Sequence, residues 1–295
     1  MGIALTKSLG IARTAAVDGE AIVEPASVGE GVVGCQLVFE VSTPATIVLQ
    51  VAAARRPGVA VSDRWSIMNG LVALTAQEIA GSDGGRQHVI RASPGDLTIT
   101  YQATITGASL PQPVSDAGWV DALRPSRYCP SDRMAGFAKS HFDDLPTVSH
   151  QVQAICDYVW RHIGYDTTVS GTSTDAVDTL LSGHGVCRDF AHLVATLCRA
   201  IDIPARMVAA YAPGLSPMDF HAVVETAIDG TWWAWDATRL APRPTLVRIA
   251  TGRDAADVAF ATVMFGRAEL RGLEITAVAA GDLPVDDHKR PVTLG

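Results

Sequence analysis

The chain has no CxxC pair and no regular cysteine spacing: Cys35, Cys129, Cys156, Cys187 and Cys198 are odd in number and scattered. Such a set is poor material for a disulfide framework or a zinc site, so reduced thiols are expected, most of them small buried hydrophobes. A positive balance is also lacking. Lys and Arg number 23 against 31 Asp and Glu, a formal net charge of -8 that argues against nucleic acid or an anionic membrane as the main partner. The opening residues, Met1 to Lys7, lack a charged region followed by an apolar stretch and a small-residue cleavage site, and no apolar run approaches membrane-spanning length. A soluble, cytoplasmic protein is expected. Gly2 with Thr6 fits the loose myristoylation pattern, a match short enough to arise by chance. What the chain does have is 295 residues, 48% of them apolar, enough to bury the core of one large domain or two ordinary ones.

The first third carries short β-favouring segments, 35–41, 46–51 and 97–105, separated by Gly, Pro, Ser and Asp clusters. Leu97, Ile99, Tyr101, Ala103 and Ile105 alternate with polar residues, the mark of a strand with one buried face. An antiparallel β-sandwich or meander is expected, with no chemistry assembled in it. Five prolines between Ser109 and Pro146 then precede a helical composition. Val152, Ile155, Cys156, Val159 and Ile163 recur at helical spacing over 149–162, and a shorter helix is expected at 174–181, capped by Thr174 or Asp175.

The stretch Ser182-Gly183-His184-Gly185-Val186-Cys187-Arg188-Asp189-Phe190 puts a cysteine directly after a glycine-broken loop, and Phe190, Ala191, Val194, Leu197, Cys198 and Ile201 continue at helical spacing. Cys187 is thus expected in the first turn of a helix. Unpaired N–H groups and the positive end of the dipole there favour a thiolate, and the same N–H groups can receive an oxyanion. A cysteine taken at random more often merely packs. After Pro204 come three expected strands, 205–211, 218–225 and 231–236, the last two joined by an Asp229-Gly230 turn. His221 at the start of one strand and Asp236 at the end of its hairpin partner fall side by side in an antiparallel pair. His221 can then exchange protons with the thiol while Asp236 holds the ring. Each is more often a packing or turn residue when taken alone, but their matched placement after a helix-start cysteine supports a Cys-His-Asp site.

Gly185-Val186-Cys187-Arg188-Asp189-Phe190-Ala191-His192, Ile203-Pro204-Ala205-Arg206, His221-Ala222-Val223-Val224-Glu225 and Asp236-Ala237-Thr238, in this order, resemble the core of the bacterial transglutaminase-like cysteine-enzyme superfamily. The resemblance covers roughly the second half of the chain, and the β-rich first third resembles the region that often precedes this core in bacteria. It implies an α+β fold. An N-terminal antiparallel β-sandwich-like domain over 1–125 would be followed, over 126–295, by a papain/transglutaminase-like catalytic domain with a C-terminal extension. In that core the nucleophile stands at a helix N-terminus packed on an antiparallel sheet. By resemblance Cys187 is the nucleophile, His221 the base and Asp236 its orienting residue. Val223 stands where the family commonly has tryptophan and Ala237 where it often has proline, departures that touch the substrate groove and not the three residues.

The remaining candidates have quieter readings. His184 is expected to serve the loop, and His192, about 140° round the helix from Cys187, to be a hydrogen-bonded structural residue. Cys198 lies about 16 Å further along the axis and cannot resolve a bond to Cys187. Arg188 and Asp189 are expected to pair locally, and Trp232, Trp233 and Trp235 to be core or strand aromatics. Gly252 lacks the Gly-rich repeat and Lys-Ser/Thr pair of a phosphate loop. A strand is expected at 273–278, and a frayed polar tail at 286–290.

The expected activity is acyl transfer on an amide bond through a Cys187 thioester, either hydrolysis of a peptide or protein amide or transfer to an amine. It calls for no cofactor and no metal. A non-catalytic interaction module on the same fold is the alternative. Metal binding by Cys187 with His184 or His221 lacks the further ligands it needs.

Overall fold

The computed structural model describes residues 30–294. The start of the chain, read above for a leader and a lipidation pattern, lies outside them. The first half forms an antiparallel sheet from β1 (Gly31–Leu49), β2 (Val59–Asn69), β3 (Val72–Ala73), β4 (Gln77–Ala80), β5 (Arg86–Ala92) and β6 (Gly95–Gly107), in the order β3-β2-β6-β1-β5-β4. Alternation buries one face: Leu37 lies opposite Ile99 and Cys35 opposite Tyr101, all four inside the core. The segments expected at 35–41 and 46–51 belong to one long strand. β1 pairs with β6 through Val41 and with β5 from Ala45. Pro44 stands at the change of neighbour, where a residue without an N–H can be accommodated.

The second half begins with α1 (Asp116–Asp121), α2 (Ala135–Phe142) and α3 (Val148–His162). Thr147 caps α3 by accepting the His150 N–H at 3.2 Å. Then come β7 (Gly164–Tyr165), α4 (Ala176–Ser182), β8 (His184–Gly185) and α5 (Cys187–Ala200). Asp175 caps α4, accepting N–H groups from Val177 and Asp178 at 2.8 and 2.9 Å. The Asp178 carboxylate returns to the Asp175 N–H, closing a capping box. The chain continues through β9 (Ala205–Tyr211), β10 (Phe220–Ile228), β11 (Thr231–Trp235), β12 (Val247–Gly252) and α6 (Ala255–Val258), giving an antiparallel sheet of order β11-β10-β9-β12. Asp229 and Gly230 both have positive φ, 51° and 75°, as the two-residue turn between β10 and β11 requires. α5 is buried from Asp189 to Ala200, packed on β9 and β10 with α3 and α4 against its other sides. No helix among the described residues is long and apolar enough to cross a membrane.

The last strand, β13 (Ala261–Ala279), is far longer than the expected 273–278. It leaves the second half and pairs with β1 along its whole length, from Gly31 beside Ala279 to Leu49 beside Ala261, so the sheet of the first half contains residues from both ends of the described chain. At Gly266, with φ 76°, a Cβ would lie 2.0 Å from the Pro44 carbonyl oxygen, so only glycine lets the two strands approach there. The polar 286–290 stretch is not frayed either. Asp286 accepts from the buried Arg243 guanidinium at 2.8 Å, and Val292, Thr293 and Leu294 are buried. The run reads as solvated only because its cationic partner is 43 residues away.

Candidate active site

Cys187 is the first residue of α5, at the end of a tightly built approach. Gly183 closes α4 with φ 69°, and β8 then pairs in parallel with β7, Tyr165 beside Gly185. A Cβ on Gly185 would stand 2.7 Å from that of Asp189, so the residue must be glycine. The Asp189 carboxylate, fully buried, accepts the Val186 N–H at 2.9 Å and bonds Arg188, the local pairing expected for these two. Arg188 also reaches Ser170 Oγ at 2.6 Å and the Gly171 carbonyl at 2.7 Å. Cys187 is partly exposed, whereas the other four thiols are buried.

His221 is the second residue of β10, and its Nε2 meets Asp236 Oδ2 at 2.8 Å. Val224 pairs with Trp235, so one step further the register sets Asp236 opposite Val223. That places it on the face His221 occupies two residues earlier. Thr238 holds the other carboxylate oxygen, donating its N–H and hydroxyl to Asp236 Oδ1 at 2.8 and 2.7 Å. His221 Nδ1 is buried and has no hydrogen-bond partner among the described residues, and the Cys187 side chain lies close enough to the ring to raise it. Burial opposes the imidazolium, but the Asp236 charge and hydrogen bond outweigh it, and together with Cys187 they raise His221 to about 10. Burial also opposes the Asp236 carboxylate, which His221 and Thr238 nevertheless hold below its ordinary range.

The structure therefore brings together the three residues singled out in the sequence, and it adds two neighbours. The Tyr165 hydroxyl lies near the Cys187 backbone N–H and sulfur; burial and the sulfur push it up to about 12. The Phe220 carbonyl lies 4.0 Å from Cys187 Sγ. Thr238, quoted with the Asp236 block, had no role assigned to it in the sequence, although a threonine two residues after an aspartate is a common local carboxylate partner.

The quieter candidates lie elsewhere. His184 bonds the Ser182 carbonyl through Nδ1 at 3.0 Å, a loop contact. His192 is buried, accepts the Ala255 N–H at 3.1 Å and stacks on Tyr128, and burial lowers it to about 4. Trp232 is core, Trp235 donates to Thr226 Oγ1 at 2.8 Å, and Trp233 to the Ile228 carbonyl at 3.2 Å. Gly252 packs against Asp257, whose carboxylate takes the Arg253 N–H and leaves no phosphate cradle. Among the described residues no group of three or more His, Cys, Asp or Glu side chains is placed to hold a metal. A groove of about 590 Å³ runs between the two halves near Arg206. Arg206 pairs with Glu225, four residues along β10 from His221, and the groove's charges are committed, Arg206 to Asp83, Arg253 to Asp257 and Asp121 to Arg124.

The model of the transglutaminase-like superfamily core matches residues 137–237, the segment that contains Tyr165, Cys187, His221 and Asp236. A crystal structure of a Cytophaga hutchinsonii protein, provisionally assigned as a cysteine protease, is similar at a TM-score of 0.80 and 30% identity, over 89% of this chain and 96% of that one. An uncharacterised protein of Mycobacterium leprae is 28% identical over 193 residues, which are 58% of this chain and 68% of the relative. With a transglutaminase-like core followed over nearly the full length of a solved relative, the chain belongs to the transglutaminase-like superfamily.

Proposed function

We propose that the protein is a cysteine enzyme that cleaves amide bonds through a thioester on Cys187, as a peptidase or amidase. The observation that carries this reading is the wiring of His221: Nε2 is taken by Asp236 at 2.8 Å, which leaves the buried Nδ1, without a hydrogen-bond partner among the described residues, to serve the Cys187 side chain beside the ring. His221 Nδ1 takes the thiol proton and the sulfur attacks the carbonyl carbon. The resulting oxyanion is received by the Cys187 N–H at the helix start and by the Tyr165 hydroxyl. On collapse the C–N bond breaks, and His221 returns its proton to the departing amine. Water then attacks the thioester while His221 accepts its proton, which ends on the thiol as the acid leaves. Asp236, fixed by Thr238, keeps the ring turned and offsets its charge throughout.

The test is an assay of glutamine-containing and other peptide amides, with and without a primary amine, on the wild type and on Cys187→Ala and His221→Ala. Release of ammonia or amine should be lost in the first variant and fall by about 10³-fold or more in the second. Turnover that survives Cys187→Ala sinks the proposal, and a folded wild type that binds peptides without turning any over favours an interaction module.

A further inference from the structure

Beside Cys187 stands a carboxylate that, among the described residues, makes no ion pair. Asp219 sits immediately before β10 and two residues before His221, next to Phe220, whose carbonyl is 4.0 Å from Cys187 Sγ. Asp219 Oδ1 accepts the Phe220 N–H at 2.7 Å, and among the described residues the carboxylate makes no ion pair. The residue is exposed, yet its surroundings desolvate the carboxylate enough to raise it above its ordinary range. Its charge is felt by the His221 ring and by the Tyr165 hydroxyl near Cys187.

The cations around the opening are occupied. Arg188 is spent on Asp189, Ser170 and Gly171, and Arg239 pairs with Asp157 and stacks over Trp160 at 4.2 Å. His184 serves the Ser182 carbonyl, and Asp166 receives the Thr168 N–H and hydroxyl at 2.8 and 2.7 Å. An anion without an ion pair, one residue from the carbonyl that approaches the sulfur, opposes the negative charge that develops in the reaction. The arrangement is unfavourable in the free enzyme and becomes favourable when a bound molecule brings a positive charge to it.

Resting on the acyl-transfer reading above, we propose that Asp219 forms a cation subsite, so that the enzyme selects an ammonium or guanidinium group beside the scissile amide. Two sources share this chemistry: a basic side chain on the acyl donor, or a primary amine that replaces water as acceptor. In the second case the ammonium releases one proton to water and its nitrogen attacks the thioester carbonyl. The C–S bond breaks with sulfur keeping the pair, and the second proton passes to His221, leaving a secondary amide.

The test compares wild type with Asp219→Asn in two arms. In the first, matched fluorogenic peptides carry lysine, its neutral acetylated form or glutamate beside the scissile amide. A basic donor subsite predicts that the lysine-to-neutral ratio of kcat/KM falls about tenfold in the variant. In the second, a neutral donor is offered a diamine, and an acceptor subsite predicts a fall in the partition of product between aminolysis and hydrolysis. If neither ratio moves, the cation subsite is overturned. Should the wild type turn over no peptide, the acyl-transfer reading fails separately, and Cys187 labelling by methanethiosulfonates decides the subsite. The preference for 2-aminoethyl over 2-sulfonatoethyl reagent drops in Asp219→Asn if the cation site is real and stays constant if it is not. Thermal unfolding of both proteins, together with the uncharged methyl reagent, separates a loss of charge selectivity from a loss of structure.

Discussion

The reactivity of a thiol depends on what lies within a few ångströms of it, and the five cysteines of this chain divide sharply on that criterion. Burial pushes Cys35 and Cys129 up to about 11 and Cys156 to about 12, and places Cys198 well above the ordinary value. At pH 6 a thiol held at about 11 is ionised to roughly one part in 10⁵. Cys187 has instead a helix start, partial exposure and a raised imidazole. Iodoacetamide at pH 6 should therefore modify Cys187 first, by more than about tenfold over any other thiol, and His221→Ala should remove most of that advantage. Peptide mapping after a timed quench reads both rates; uniform labelling of the five would contradict the activated pair. The three principal residues were legible because each follows a local rule: a cysteine after glycines at the start of apolar helical spacing, and a histidine and an aspartate at matched hairpin ends. Tyr165 and Asp219 follow no such rule. Nothing near Tyr165 in sequence announces that β7 will pair with β8, and Asp219 matters only because α5 starts against the first residue of β10.

At the scale of elements, the site depends on how α4, β8 and α5 follow one another within a few residues. The glycines are obligatory for different reasons. Gly183 needs its left-handed backbone to end α4, while Gly185 needs the absence of a Cβ because Asp189 fills that space. Gly185→Ala must displace Asp189 or the strand, and Asp189 is the residue that holds the Val186 N–H in front of Cys187. The variant should lose about 1–3 kcal/mol of stability by overpacking and should lose activity well beyond that loss, since Cys187 and Tyr165 shift relative to each other. Asp175→Ala, which uncaps the partly buried start of α4, supplies the contrast: about 1 kcal/mol of stability with kcat/KM close to wild type. Urea unfolding and steady-state rates measured on both variants separate the two effects, and equal activity losses would remove the special role given to Gly185. These helices, strands and the Asp229-Gly230 turn were readable because their signals are local. The change of neighbour within β1 was not, since it depends on β5 and β6 arriving on the same side.

Across the whole molecule, the two halves of the chain are bound by charge as well as by packing. Arg206 contacts Asp83 of the first half at 2.8 Å and Gln112 at 3.0 Å, stacks over Trp232 at 3.9 Å, and bonds Glu225 at 2.8 Å. Glu225 also takes both terminal nitrogens of Arg248, and the backbone adds Ala54 N–H to the Arg248 carbonyl at 2.8 Å and Tyr211 hydroxyl to Val51 at 2.8 Å. The sequence could not disclose this node, whose members are spread from Asp83 to Arg248, nor the return of β13 to β1, because a strand pattern does not name its partner. Glu225 is fully buried, which opposes its charge, yet Arg248 and Arg206 hold it down to about 2. A carboxylate lower in the folded state than in the unfolded chain stabilises the fold above its unfolded value near 4.3. That contribution is lost as pH falls from there through about 2, and is on the order of 3 kcal/mol. Glu225→Gln leaves two buried guanidinium groups short of an anion and should cost about 3–5 kcal/mol at pH 7. Because the glutamine does not titrate, the variant should also lose the steep part of the stability profile between about pH 4.5 and 2. Urea unfolding followed across that range distinguishes the two proteins: parallel curves would mean that acid sensitivity arises elsewhere, whereas convergence toward low pH identifies this buried node as the group through which acid separates the halves.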